Sequence, residues 1–344
     1  LLNHDYILGL EGGERLNKKG LLIAVVLMAA AMLAAPNFSI LQPVAAQETY
    51  QQITGKLGGA EYLLRIPDNW EGALVVMCRG YSPTPVDLAG LEFYADMFST
   101  ITTNGAALAM STFGEAGWCV QKGMIRTHQL TEYIIDHYDV TGTILLFGMS
   151  MGGGIALLLG TKYPHLYDGV IEIAGVKDVA AQYTLTMNLA NIMDDDELAE
   201  AILANGGSVP PCPLAYGYDI PTALAGYRAF CLTSSTDIAL ELGGTPETKP
   251  KAYERVSPIF NAVDIAVPTI TVHGCADSVV SYAQSLAYLE AVTQAGYSDL
   301  YRLYGVPGGE HIDDSMAMGM QIYFGITWLV DWVENGNPAP PSMP

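Results

Sequence analysis

Ser150 lies between two glycines in Gly148-Met149-Ser150-Met151-Gly152, a G-x-S-x-G pattern. In a chain with 36 glycines the bare pattern is weak, so its flanks must decide. Thr143 to Phe147 runs into it as an apolar strand, and Gly152 to Lys162 leaves it as a helix closed by Tyr163-Pro164. A serine on so sharp a strand-to-helix turn is forced into a strained backbone geometry. Glycines two residues to either side remove the side chains that would otherwise collide. The hydroxyl then projects beyond the strand at a helix N-terminus, where a nucleophile is useful. Serine is a poor nucleophile at neutral pH; it needs a base, and the base needs an orienting carboxylate.

Both groups follow in suitable places. Ile270 to His273 is an apolar strand that ends in Gly274-Cys275-Ala276-Asp277, and Tyr301 to Tyr304 is a strand that leads into Gly305-Val306-Pro307-Gly308-Gly309-Glu310-His311. Ser150, Asp277 and His311 thus read as nucleophile, acid and base, with Asp264 and Asp299 as rival acids. His311 is the histidine set in a Gly-rich loop after a late strand. His128, His137 and His165 fall in helix or helix-end contexts and His273 ends a strand, so these four read as structural. Glu310, Asp313 and Asp314 read as a solvated acidic loop. Neither H-E-x-x-H nor paired-histidine spacing accompanies them, so no metal site is expected, and no organic cofactor either.

The elements that must position these residues alternate strand and helix. Strands are expected at Ile53 to Lys56, Glu61 to Ile66, Ala73 to Cys78, Ala106 to Ser111 and Gly169 to Ile173, beside those already named. Helices are expected at about Val86 to Asn104, Gly123 to Asp139, Tyr282 to Ala295 and Ser315 to Glu334. The pattern predicts an α/β fold with a mostly parallel central sheet and helices on both faces. Between residues 179 and 258 the alternation stops, and a mostly helical insertion is expected. Residues 47–178 and 259–335 then form the core, and the Pro-rich tail 336–344 reads as frayed.

With a serine elbow, an HGxxDxVV-like acid loop at 273 to 280 and a late GGEH loop, the chain from about Thr49 to Asn335 resembles the α/β-hydrolase superfamily. Within it the nearest likeness is to exported carboxylesterases, feruloyl-esterase-like and lipase-like members with a helical cap. The resemblance implies an oxyanion hole of two backbone N–H groups. One comes from Met151, and the other from the loop after the third strand, here Cys78-Arg79-Gly80-Tyr81, which points to Tyr81. Arg79 stands where the family often has histidine, a departure that bears on the loop's conformation. The insertion is expected to cap the site, with Trp118, Met149, Tyr183 and Tyr227 lining an aryl-accepting pocket. Alternatively, those tyrosines pack the insertion's own core. The implied activity is hydrolysis of aryl, hydroxycinnamoyl or short-to-medium acyl esters through an acyl-enzyme. Two other readings stand beside it. One is a serine peptidase of proline-releasing aminopeptidase type, with Glu197, Glu200 or Glu241 anchoring an amino group; the other is a binding protein on the same scaffold.

Composition narrows the partners. The 344 residues carry 15 Lys+Arg against 36 Asp+Glu, a net charge of −21 that repels nucleic acid and anionic lipid. Lys18 and Lys19 precede an uncharged run from Gly20 to Ala35, and Val44-Ala45-Ala46 follows. That layout predicts a secretory signal within residues 1–46, cleaved after Ala46, and hence secretion to periplasm or medium with no retained anchor. Glu11-Gly12-Gly13-Glu14 has a codon choice that reads as a ribosome-binding site, which would place the start at Leu16. Among 5 cysteines, Cys212 and Cys231 are the expected disulfide.

Overall fold

The computed structural model describes residues 49–211, 219–312 and 315–344. The leader expected at 1–46 lies outside them, as does Cys212; Cys231, its expected disulfide partner, is a free thiol buried in the core of the insertion expected at 179–258. Among the described residues no helix is long and apolar enough to cross a membrane.

Eight strands form one sheet in the order β1-β2-β4-β3-β5-β6-β7-β8. They are β1 (Tyr50–Leu57), β2 (Ala60–Pro67), β3 (Leu74–Cys78), β4 (Ala107–Ser111), β5 (Ile144–Met149), β6 (Gly169–Ile173), β7 (Thr269–Gly274) and β8 (Tyr301–Val306). β1 and β2 pair antiparallel and β2 joins β4 antiparallel; every later pairing is parallel. Strands β4 to β7 are buried at every position, as strands covered on both faces must be.

Alternate residues of each strand feed two cores. Leu64, Val76, Ala109 and Leu146 face one layer, built by α3 (Val120–His137), α4 (Met151–Lys162) and α9 (Ala283–Gln294). Leu63, Met77, Met110 and Phe147 face the other, built by α1 (Leu88–Met97), α2 (Ser99–Thr103) and α10 (Met316–Asn335). The helix expected over Val86 to Asn104 is therefore two. It breaks at Phe98 (φ −102°, ψ 28°), whose ring turns onto Phe147 at 4.7 Å.

The segment between β6 and β7 is helical, with α5 (Val179–Asn191), α6 (Asp195–Ala204), α7 (Ile220–Leu242) and α8 (Pro250–Val256). Asp219 caps the start of α7 by accepting from Thr222 N, and Gly243 ends it in the left-handed region at φ 76°. Leu189, Leu198, Ile202, Leu224, Tyr227 and Cys231 give this insertion a small core of its own.

The tail is not frayed. Met343 pairs in parallel with Tyr304 on the β8 edge, donating to Leu303 O and accepting from Gly305 N, both at 2.8 Å. Ser342 Oγ accepts from Leu303 N, Arg302 Nε donates to Ala339 O, and Tyr304 OH donates to Pro340 O. Proline richness misled because a strand edge offers acceptors and donors that an extended Pro-rich segment can meet without a helix. Deleting residues 337–344 should cost about 2 kcal/mol in chemical denaturation and promote self-association through the uncovered edge. Unchanged stability and sedimentation would show the tail to be incidental.

Candidate active site

The expected elbow is present. Ser150 sits between β5 and α4 at φ 55°, ψ −124°, a left-handed backbone uncommon for a residue with a side chain. It is held on both sides: its N–H donates to Ile173 O at 2.9 Å, and its carbonyl accepts from Gly153 N at 2.9 Å and Val176 N at 3.2 Å. The glycines are there for room. A Cβ on Gly152 would overlap the carbonyl oxygens of Cys78 and Arg79, and one on Gly148 would overlap Gly152 O and stand 2.8 Å from Ala156 Cβ. Gly80 packs face to face with the serine, its would-be Cβ 3.3 Å from Ser150 Cβ.

That contact brings the loop after β3 to the serine. Arg79, whose departure from the family's usual histidine bears on the loop's conformation, locks it. Its guanidinium is buried over the Phe113 ring at 4.5 Å and donates to Thr112 O, Glu115 O and Gly80 O, the last at 2.9 Å. With the Gly80 carbonyl so fixed, the planar trans peptide turns the Tyr81 N–H the opposite way. Among the described residues that N–H has no acceptor, and Met151, first residue of α4, has the free N–H of any helix start. Two unspent amides thus flank Ser150.

β5 through β8 lie side by side, so the loops that follow them stand in a row at one edge of the sheet. Asp277, buried in the loop after β7, meets the loop after β8: its Oδ2 accepts from His311 Nδ1 at 2.7 Å. Its Oδ1 accepts from the N–H groups of Val279 and Val280, each at 2.8 Å. Burial opposes ionisation here, but the charge of His311 and hydrogen bonds from His273 and His311 outweigh it and hold the carboxyl well below the usual range. Asp264 and Asp299 are exposed and are not this partner. Ser150 Oγ has no hydrogen-bond partner among the described residues. Such contacts are often open before substrate arrives.

Several residues at the site were not singled out by sequence. Glu172 in β6 and Lys177 form a fully buried ion pair at 2.7 Å behind the elbow. Glu172 also accepts from Gly175 N at 2.7 Å and from Thr271 Oγ1. A lone charge in the apolar run Gly169 to Ile173 was the available signal. Glu310 is not a solvated loop residue: it accepts from Ser278 N and Oγ, each at 2.9 Å, and from Ser208 N and Oγ of the insertion. Asp313 and Asp314 lie outside the described residues. Among those described, no group of three or more His, Cys, Asp or Glu is placed to hold a metal. His273, read as structural, touches Asp277 directly at 3.0 Å.

The pocket expectations divide. Trp118 is itself buried in the main core, 6.2 Å from the half-buried Tyr81 ring, with the half-buried Phe230 of α7 on another side of that ring at 6.0 Å. Met149, Tyr183 and Tyr227 are buried packing residues instead of pocket walls. Met149 belongs to the core beneath the sheet, Tyr183 packs on Tyr253 at 6.0 Å, and Tyr227 fills the insertion's core while its hydroxyl donates to Ser278 O. An interior needs large rings as much as a pocket does, and side-chain type alone does not separate the two.

The insertion grips this edge of the sheet. Asp237 of α7 accepts from Tyr81 OH at 2.7 Å, and Glu241, one turn on, accepts from Gln121 N at 2.9 Å. Burial, aided by the charge of Glu115 and opposed by the N–H groups of Gln121 and Val120, pushes the Glu241 carboxyl up to about 7. The folded state then binds this proton more tightly than the unfolded chain does. Its contribution to stability is greatest below the ordinary carboxylate value of about 4.3 and is lost as pH rises to about 7. Glu241→Gln should therefore stabilise the protein by about 1–2 kcal/mol near pH 8 and not near pH 4 in chemical denaturation. Equal effects at both would contradict this.

Two families match parts of the chain: the Prolyl oligopeptidase family over residues 227–335 and the Esterase family over residues 124–202. No curated protein matches it in sequence. Similar solved structures include a puromycin-hydrolyzing peptidase of Mycobacterium tuberculosis, 14% identical, with a TM-score of 0.59 over 88% of this chain and 43% of that one. The acylaminoacyl peptidase of Pyrococcus horikoshii is 12% identical, with a TM-score of 0.57 over 90% and 44%. A 2,6-dihydroxy-pseudo-oxynicotine hydrolase is 16% identical, with a TM-score of 0.52 over 95% and 77%. The chain spans less than half the length of the two peptidases.

Proposed function

Because the chain has the α/β-hydrolase fold with a serine on its strand–helix elbow, we propose that it is a serine hydrolase, an exported carboxylic-ester hydrolase acting through Ser150, His311 and Asp277. The observation that carries this reading is the hydrogen bond from His311 Nδ1 to the buried Asp277, in a row of loops with a serine already on its elbow. His311 Nδ1 donates to Asp277, which assigns the proton exchange with Ser150 to Nε2.

In the proposed cycle Ser150 Oγ attacks the ester carbonyl while His311 Nε2 accepts its proton. Asp277 stabilises the imidazolium without taking that proton. The tetrahedral oxyanion is met by the N–H groups of Met151 and Tyr81, which cost no reorganisation because the helix start and the Arg79 clamp have already set them. Collapse expels the alcohol, protonated by His311, and leaves an acyl-Ser150 ester. Water, activated by the same imidazole, releases the acid.

Tyr81 and Phe230, half-buried with Trp118 packed behind Tyr81, offer aromatic surface beside the Tyr81 amide, which favours aryl, hydroxycinnamoyl or short acyl esters over long chains. The insertion serves as a cap in this reading, and residues 1–46 as the export signal. A peptidase is the second reading, favoured by the Prolyl oligopeptidase match over residues 227–335.

p-Nitrophenyl acetate, butyrate and decanoate, methyl ferulate, and proline and acetyl-amino-acid anilides separate the two. The expected result is turnover of the esters, fastest on the shorter acyl chains and ferulate, and a loss of about 1,000-fold or more in Ser150→Ala. Faster anilide than ester turnover would favour the peptidase, and equal activity of Ser150→Ala would remove the serine from the mechanism.

A further inference from the structure

His273 is fully buried near the end of β7, yet it does not behave as a core filler. Its Nε2 lies 3.0 Å from Asp277 Oδ2 and 2.9 Å from Val280 O. A backbone carbonyl can only accept, and so can the ionised Asp277 carboxylate, so Nε2 must carry the proton. Nδ1 lies 2.6 Å from Ser285 Oγ, whose rotatable hydroxyl is its hydrogen-bond partner. Tyr282 closes a further side, edge-on at 5.5 Å. The imidazole is thus held in position by α9 on one side and by the acid loop on the other.

The oxygen that receives this proton is the one that receives His311 Nδ1–H. Asp277 Oδ2 therefore carries two imidazole donors and Oδ1 two amides, which leaves the carboxylate no freedom to turn away from His311. The other charged or titratable groups that bear on it are Lys177 ahead of α5, Tyr227 of α7, and Glu310 through Ser278. Among the described residues, none of them donates a hydrogen bond to Oδ2.

We infer that His273 is a positioning residue for hydrolysis: its Nε2–H fixes Asp277 beneath His311 and shares the negative charge that His311 meets. The inference rests on the triad proposed above. Without that donor the carboxylate would present more charge to His311 and favour its protonated, inactive form. It would also lose one of the four donors that hold its plane. Turnover should fall, and its acidic limb should move to higher pH.

The test is kcat and KM for p-nitrophenyl butyrate from about pH 5 to 9 in wild type, His273→Leu, His273→Gln, Ser285→Ala and Ser150→Ala. His273→Leu should lower kcat about tenfold or more with KM little changed, and shift the acidic limb upward by about half a unit or more. His273→Gln, whose amide N–H reaches the Nε2 position, should restore most of kcat and return the limb. Ser285→Ala, which removes only the hydroxyl behind Nδ1, should shift the limb the same way by less, and it keeps the test open should the leucine variant not fold. An unmoved limb in both His273→Leu and Ser285→Ala, or a loss that glutamine does not rescue, overturns the inference. If Ser150→Ala is inert while His273→Leu equals wild type, this inference alone fails; if Ser150→Ala turns over substrate, the triad fails with it.

Discussion

A serine at φ 55° between a strand and a helix is a strained object, and the backbones around it are arranged to hold it. Gly152 lets α4 start against the carbonyls of Cys78 and Arg79, so the loop after β3 lies on the serine. Gly153 packs onto Gly175, its would-be Cβ 2.6 Å from Gly175 Cα, which draws the β6 exit against the same turn. One geometric constraint thus sets three loops at once. Side chains at these glycines would separate Ser150 from the amides proposed to stabilise an oxyanion there.

Charge is distributed to match. The ion pair Glu172–Lys177 lies fully buried behind the elbow, where burial lowers the lysine's proton affinity and Glu172, with Asp277 beyond it, opposes that. Such a pair earns little net stability, because desolvating both ions offsets their attraction. What it does here is join loops. Glu172 touches Gly175 and Thr271, while Gln284 accepts from the N–H groups of Lys177 and Asp178. Glu310 and Tyr227 extend the same logic outward, tying the acid loop to the histidine loop and to the insertion through Ser278. The insertion is not a loosely hinged flap in this conformation, since it holds Tyr81, Gln121, Ser278 and Glu310 at once.

The strand–helix alternation was legible because hydrophobic periodicity is local, and strands β3 to β8 fall within two or three residues of where the pattern puts them. The elbow at Ser150 and the meeting of Asp277 with His311 were legible because each residue follows a strand in a loop whose glycines have a steric purpose. What escaped depends on which strands become neighbours. Glu172 acquires its partners from β7 and the loop beyond β6, and His273 meets Asp277 because the chain after β7 folds back on itself through Val280. The Arg79 clamp is composed of carbonyl acceptors, which sequence does not display. Tyr183 and Tyr227 were misplaced for a related reason: an aromatic ring carries no mark of whether it faces a ligand or another ring.

Covalent reactivity at Ser150 bears most directly on the whole. Protein incubated with a fluorophosphonate at neutral pH, then digested and analysed by mass spectrometry, should carry one adduct, on the peptide containing Gly148-Met149-Ser150-Met151-Gly152. His311→Ala should slow its formation by about 100-fold or more. No adduct on the folded wild type, or an adduct at another residue, would contradict the nucleophile on which every other assignment depends.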